Sequence, residues 1–126
     1  MLEDLGVGSI VFSPLAQGLL TDRYLTGDVP SGSRIATSRF LSEASLTDTY
    51  LTRARALNDI AAGRGQSLAQ LAVTWILRQD AVTSVLVGAS SVTQLEQNVA
   101  ALEAPALTED EIASIEPYAV HGTERA

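Results

Sequence analysis

The chain has 126 residues, 46% of them hydrophobic and 18% charged, and carries a formal net charge of −7. That length suits one domain, and the apolar share is enough to bury a core, so a disordered tail is excluded. An acidic domain repels nucleic acid and anionic lipid over most of its surface, and the absence of cysteine removes any disulfide framework or thiolate metal site.

The start, Met1-Leu2-Glu3-Asp4, lacks the basic region and apolar stretch of a signal peptide. No apolar run approaches the roughly 20 residues of a membrane span, so a membrane is not an expected partner. The acidic charge argues against nucleic acid, and with no cysteine the cytoplasm is the default compartment. Leu2 to Leu5 followed by Gly6 reads as the last turn of a helix with a glycine stop. Val7 to Phe12 is a short apolar run bounded by glycine and Ser-Pro, which predicts a buried parallel strand.

Residues 13–45 are rich in Gly, Ser, Pro and Thr, too long for an ordinary connection, with a short helix expected around Gly18 to Leu25. Leu46 to Ala62 places Leu51, Ala54, Leu57, Ile60 and Ala61 at helical spacing and stops at Gly63. Ser67-Leu68-Ala69-Gln70 is a capping box. It opens a helix to about Arg78 that buries Leu68, Leu71, Ala72, Trp75 and Ile76. Val82 to Val87 is a second, β-branched strand.

Gly88-Ala89-Ser90 is a tight turn, and Ser91-Val92-Thr93-Gln94 predicts a second capping box on a helix with Val92, Leu95, Val99 and Leu102 inward. Pro105 ends that helix. Thr108-Glu109-Asp110-Glu111 predicts a third box, on a helix with Ile112 and Ile115 on its apolar side. Residues 119–126 are expected to fray. The order strand, long loop, helices, strand, tight loop, helices implies parallel strands joined by crossover helices. Two strands leave two open edges, so the pattern is that of a piece of a larger α/β fold, and open edges imply self-association.

Two loops carry the chemistry. Phe12-Ser13-Pro14-Leu15-Ala16-Gln17-Gly18 leaves a strand with an aromatic face, a hydroxyl and small residues whose amides can approach a pyrophosphate. An ordinary strand end with a Ser-Pro turn would carry the same residues. Gly88-Ala89-Ser90-Ser91 sits before a helix, where free amides and hydroxyls suit an anion. A plain N-cap would look alike. Gln94 and Asn98, four apart, share a face near that end. Two loops after two parallel strands suit a (β/α)8 barrel, whose ligands sit at the C-terminal strand ends.

Here a family resemblance becomes specific. Ser13-Pro14-Leu15-Ala16-Gln17-Gly18-Leu19-Leu20-Thr21-Asp22-Arg23-Tyr24-Leu25, then Ser33-Arg34, resembles the strand-seven loop of the aldo-keto reductases. Arg64 to Ala72 resembles the next barrel helix, and Val82 to Ser91 with Gln94-Leu95 and Asn98 resembles the strand-eight loop and its helix. Within the family the chain resembles the branch that holds the bacterial L-glyceraldehyde 3-phosphate and methylglyoxal reductases and the potassium-channel β subunits.

The resemblance implies residues 1–126 as a single partial domain: the C-terminal part of a (β/α)8 TIM barrel, with its last two strands and their helices. It implies an oxidoreductase that uses NADPH to reduce small aldehydes or ketones. By the same resemblance, Phe12 lies against the nicotinamide, and Ser13, Pro14, Leu15, Ala16, Gln17 and Gly18 line the pyrophosphate. Arg23 and Arg34 reach phosphates, Gly88, Ser90 and Gln94 sit by the adenosine 2′-phosphate, and Gln97 and Asn98 face the adenine.

The family's Asp, Tyr, Lys and His tetrad belongs to the first half of the barrel. All eight basic residues here are arginines, so no catalytic residue is assigned and the chain alone is expected to be inactive. Tyr24, Tyr50 and Tyr118 match noncatalytic segments, and Tyr24 is expected to pack within its loop. His121, the only histidine, is read as solvated, and no His/Asp/Glu cluster suggests a metal. Three readings follow: part of a carbonyl reductase, a module that holds the dinucleotide without turnover, or a truncated structural product.

Overall fold

A computed structural model describes residues 3–29, 31–37 and 46–119, without the side chains of Glu3, Arg34 and Thr37. Strand β1 spans Ser9–Phe12 and β2 spans Val82–Leu86. They pair in parallel, Val11 opposite Val85 and Phe12 opposite Leu86, with an irregularity between Ser9 and Ile10. Ser9 pins the entry of the pair, its N–H and its hydroxyl both donating to the Ala81 carbonyl at 2.7 and 2.8 Å.

Between the strands run α1 (Arg34–Thr37), α2 (Asp48–Gly63) and α3 (Leu68–Leu77). After β2 come α4 (Val92–Ala100), a 3₁₀ turn Ala101–Glu103 and α5 (Glu109–Ile115). The expected start is a 3₁₀ turn, Glu3–Leu5, closed by Gly6 at φ +63°. The long loop holds two more 3₁₀ turns, Ala16–Gly18 and Asp22–Tyr24, where one short helix is expected.

The core is helical rather than sheet-based. Leu19, Tyr24 and Ile35 from the loop meet Tyr50, Ala54, Leu57 and Ala61 of α2, Leu68 and Leu71 of α3, and Ile115 of α5. Leu51, Ile60 and Trp75, expected inside, are only partly buried against that cluster, and Ile76 is half-buried too. Tyr50 and Val73 take buried places instead. Arg78 stacks on Trp75, its guanidinium carbon 3.3 Å from the ring centroid, so a cation covers part of the ring that the core leaves open.

The strands are parallel as expected, but they are not buried. Alternation puts Ile10, Phe12, Ser84 and Leu86 on one face, and all four are exposed. Phe12 is 77% exposed. Helix α3 packs on β2, and Val11 and Val85 on the other face are half-buried. Among the described residues nothing covers the first face.

Helix α4 corrects a second expectation. Val92, Leu95, Val99 and Leu102 are exposed, whereas Asn98 and Ala101 are buried. At about 100° per residue, Gln94, Asn98 and Ala101 form one face, and the apolar stripe lies roughly a third of a turn away. The helix therefore turns polar and small residues toward α3 and leaves its apolar stripe outward.

The capping boxes on α3 and α5 form as their spacing predicts. Arg64, at the end of α2, ties α5 down. Its side chain is 6% exposed and ion-pairs with Glu111. It also donates to Gln66 Oε1 at 2.8 Å and to the Pro105 carbonyl at 2.6 Å. The Glu111 carboxyl is held below the usual carboxylate range, first by the Thr108 N–H and next by Arg64. Residues 120–126, with His121, lie outside the described residues.

Candidate functional site

The loop after β1 has an unusual backbone. Ser13, Ala16 and Gln17 sit at φ of 56°, 45° and 60°, the left-handed region that favours glycine. Each such residue costs on the order of 1–3 kcal/mol and persists only where its surroundings enforce it. Here the enforcement comes from inside the loop and from below. Ala16 N–H donates to the Ser13 carbonyl at 3.0 Å, Gly18 N–H and Leu20 N–H donate to the Leu15 carbonyl at 2.8 and 3.1 Å, and Thr21 Oγ1 donates to the Gly18 carbonyl at 2.6 Å.

Below, Leu19 and Tyr24 are buried in the helical core, as is the Tyr50 ring, whose hydroxyl donates to the Leu19 carbonyl. Burial first, and the neighbouring Tyr24 second, push the Tyr50 phenol up to about 12. The Tyr24 hydroxyl accepts from Ile35 N–H at 3.4 Å, so Tyr24 packs within its loop as expected.

The loop after β2 is built by Ser90, Ser91 and Gln94. Ser91 Oγ accepts from Gln94 N–H at 3.2 Å, which is half of the expected capping box. The other half does not form. Gln94 Oε1 accepts instead from the N–H and the hydroxyl of Ser90, at 2.9 and 2.8 Å. The side chain thus braces the turn one residue earlier, at Ser90.

The two loops meet in one cleft of about 690 Å³ at the C-terminal ends of both strands. Phe12, Ser13, Pro14, Leu15, Gln17, Gly18 and Arg23 line it from the first loop, and Gly88, Ser90, Gln94, Gln97 and Asn98 from the second. Of the expected site residues, Ala16 lines a neighbouring apolar cavity of about 360 Å³ instead, and the Arg34 side chain lies outside the described residues. Reading the sequence missed Thr21, Tyr24, Gly32, Ala69, Leu86, Val87 and Ala89. Leu86, Val87 and Ala89 could have been found by contiguity with Gly88. Ala69 and Gly32 come from distant positions and leave no local signal.

The charge of the cleft is opposite to that of the chain. The sequence has 15 carboxylates, yet none of the residues lining the cleft is acidic, and Arg23 supplies a cation. Ser90 and Gln94 bring the N-terminal turn of α4 to the same cleft, adding partial positive charge. The site therefore suits an anion, with the exposed Phe12 ring on the same wall. Among the described residues no group of three or more His, Cys, Asp or Glu could hold a metal ion, and no helix is long and apolar enough to cross a membrane.

The family model described as "Aldo/keto reductase family" matches residues 1–119. The chain belongs to the aldo/keto reductase family. It is 46% identical over 125 residues to the L-glyceraldehyde 3-phosphate reductase of Escherichia coli K12, covering 96% of this chain and 36% of that protein. It is 40% identical over 114 residues to the "Probable voltage-gated potassium channel subunit beta" of Oryza sativa subsp. japonica, covering 88% of this chain and 35% of that one. An aldo-keto reductase from Bacillus halodurans, solved in its holo form, superposes with a TM-score of 0.65 at 30% identity. That match covers 93% of this chain and 35% of the other. This aldo/keto reductase chain thus spans about a third of the length of the relatives it matches.

Proposed function

We propose that this chain is the dinucleotide-gripping part of an NADPH-dependent aldo-keto reductase acting on small aldehydes or ketones. In that reading residues 1–126 form one partial domain and supply the last two barrel strands. The observation that carries it is the carboxylate-free cleft joining both strand ends, with Arg23 and the α4 N-terminus on its walls. The residues present fit the cofactor. Phe12 offers an exposed flat face. Ser13, Gln17 and Gly18 of the strained loop line the wall along which a pyrophosphate would lie. In this reading Ser90 and Gln94 meet the 2′-phosphate that distinguishes NADPH from NADH, and Gln97 and Asn98, on the same cleft, face the adenine.

Bound NADPH would supply the hydride; this chain's residues bind and orient it. They do not protonate the carbonyl. The chain has no lysine. The buried Tyr50 hydroxyl is committed to the Leu19 carbonyl, with its phenol pushed up to about 12. The uncovered sheet face and the outward stripe of α4 are where the remaining two thirds of a barrel would pack. A second reading, a module that holds the dinucleotide without turnover, is favoured by the missing lysine and the likeness to a channel β subunit.

Calorimetric titration of the chain with NADPH and with NADH tests the proposal. Saturable binding that prefers NADPH is expected, and Arg23→Ala should weaken it about threefold to tenfold, the value of one partly solvated charged hydrogen bond. Methylglyoxal should not accelerate NADPH oxidation by the chain alone. Absence of saturable binding would remove the cofactor role, and turnover rising in proportion to this chain would overturn the assignment of chemistry elsewhere.

A further inference from the structure

The C-terminal half of α4 carries Gln97 and Asn98 to the cleft, and something must set its height against the strands. Helix α4 tightens into the Ala101–Glu103 3₁₀ turn, and there the Ala101 N–H bonds to the carbonyls of Asn98 and Val99. The Gln97 carbonyl is one of the last four of the helix, the ones that helix geometry leaves short of intrahelical partners. The side chain of Gln70 fills that place. Its Nε2 donates to the Gln97 carbonyl at 3.0 Å. Its Oε1 simultaneously accepts from Ser67 N–H at 2.9 Å, capping α3.

One amide therefore joins the N-terminus of α3 to the C-terminus of α4 across 27 residues of sequence. Gln70 itself is anchored, since its carbonyl accepts from Thr74 Oγ1 at 3.0 Å, and Thr74 Oγ1 accepts from Gln66 Nε2 at 2.9 Å. Ala69, its neighbour, lines the cleft, and Asn98, next to the clipped carbonyl, is buried.

We propose that Gln70 is a positioning residue that fixes the adenosine end of the cleft by holding the Gln97 carbonyl, and through it Gln97 and Asn98. The proposal rests on reading the cleft as a dinucleotide site. It separates the clip from the cap, because the two use different atoms of one side chain.

The test titrates the chain with adenosine 2′,5′-bisphosphate and, separately, with reduced nicotinamide mononucleotide. The readout is the ratio of the two dissociation constants. A variant that folds only partly weakens both ligands by the same factor and leaves the ratio unmoved. Gln70→Glu keeps an oxygen for Ser67 N–H and loses the donor to Gln97. Gln70→Met loses both without adding charge. Ser67→Ala removes the hydroxyl that accepts from Gln70 N–H and keeps the Gln70 donor to Gln97. Both Gln70 variants should weaken the bisphosphate about threefold to tenfold, the value of one hydrogen bond, with the mononucleotide unchanged. Ser67→Ala should leave the ratio as it was. An unmoved ratio in Gln70→Met, or a shift in Gln70→Glu alone, which charge repulsion would explain, overturns the proposal and leaves the dinucleotide reading standing. If the unaltered chain binds neither ligand, the dinucleotide reading itself fails, and this inference with it.

Discussion

Arg64→Ala should loosen α5 from the helical core by about 2 kcal/mol, and the size follows from its three contacts. The bond to the Pro105 carbonyl at 2.6 Å and that to Gln66 at 2.8 Å come from a guanidinium whose side chain is 6% exposed. Such bonds contribute about 1 kcal/mol each. The Glu111 partner is 28% exposed, so its ion pair adds less than about 1 kcal/mol. Urea unfolding followed by circular dichroism at neutral pH measures the sum.

The pH dependence gives the sharper check. The Glu111 carboxyl is depressed in the folded chain by the Thr108 N–H and then by Arg64. Its contribution is therefore complete above the unfolded glutamate value of about 4.3 and fades as pH falls through the lower folded value. The stability gap between the unaltered chain and Arg64→Ala should narrow below about pH 4, while the part owed to Pro105 and Gln66 remains. Glu111→Gln, which keeps an oxygen for Thr108, should flatten the acid limb. A gap under about 0.5 kcal/mol at neutral pH, smaller than one ordinary hydrogen bond, or a gap that widens on acidification, would refute the reasoning.

Tyr50→Phe should cost about 1–3 kcal/mol, because the Leu19 carbonyl loses a buried donor. In the unaltered chain the raised phenol value means that Tyr50 protects up to the ordinary tyrosine value of about 10 and that this contribution is lost as pH rises toward the folded value of about 12. An ultraviolet titration in which Tyr50→Phe removes no late-titrating phenol would contradict that placement. With Ile10, Phe12 and Leu86 exposed on one sheet face and Val92, Leu95 and Val99 exposed on α4, the chain alone should self-associate as concentration rises. A monodisperse monomer by light scattering at high micromolar concentration would count against it.

What could be read from the residues was whatever a short stretch of chain decides by itself. The boxes at Ser67 and Thr108 depend on atoms three residues apart, and they form as the spacing predicts. The strand order and the family likeness of the two loops were legible for the same reason, since each loop carries its signature contiguously. Ser91 shows where local reasoning ends. Its spacing to Gln94 matches the other two boxes, yet Gln94 turns to Ser90, a choice made by the path of the turn rather than by the pattern.

The outward stripe of α4 has a similar cause. Periodicity shows that Val92, Leu95, Val99 and Leu102 share a side, but it carries no information on which side meets α3. Packing awarded that place to Asn98 and Ala101. The left-handed Ser13, Ala16 and Gln17 have no glycine to announce them, because their conformation is enforced by Leu19, Tyr24 and Tyr50 underneath. The clip from Gln70 to Gln97 joins residues 27 apart. Hydrogen bonds across that separation exist only once two helices have docked, so tertiary structure alone decides them.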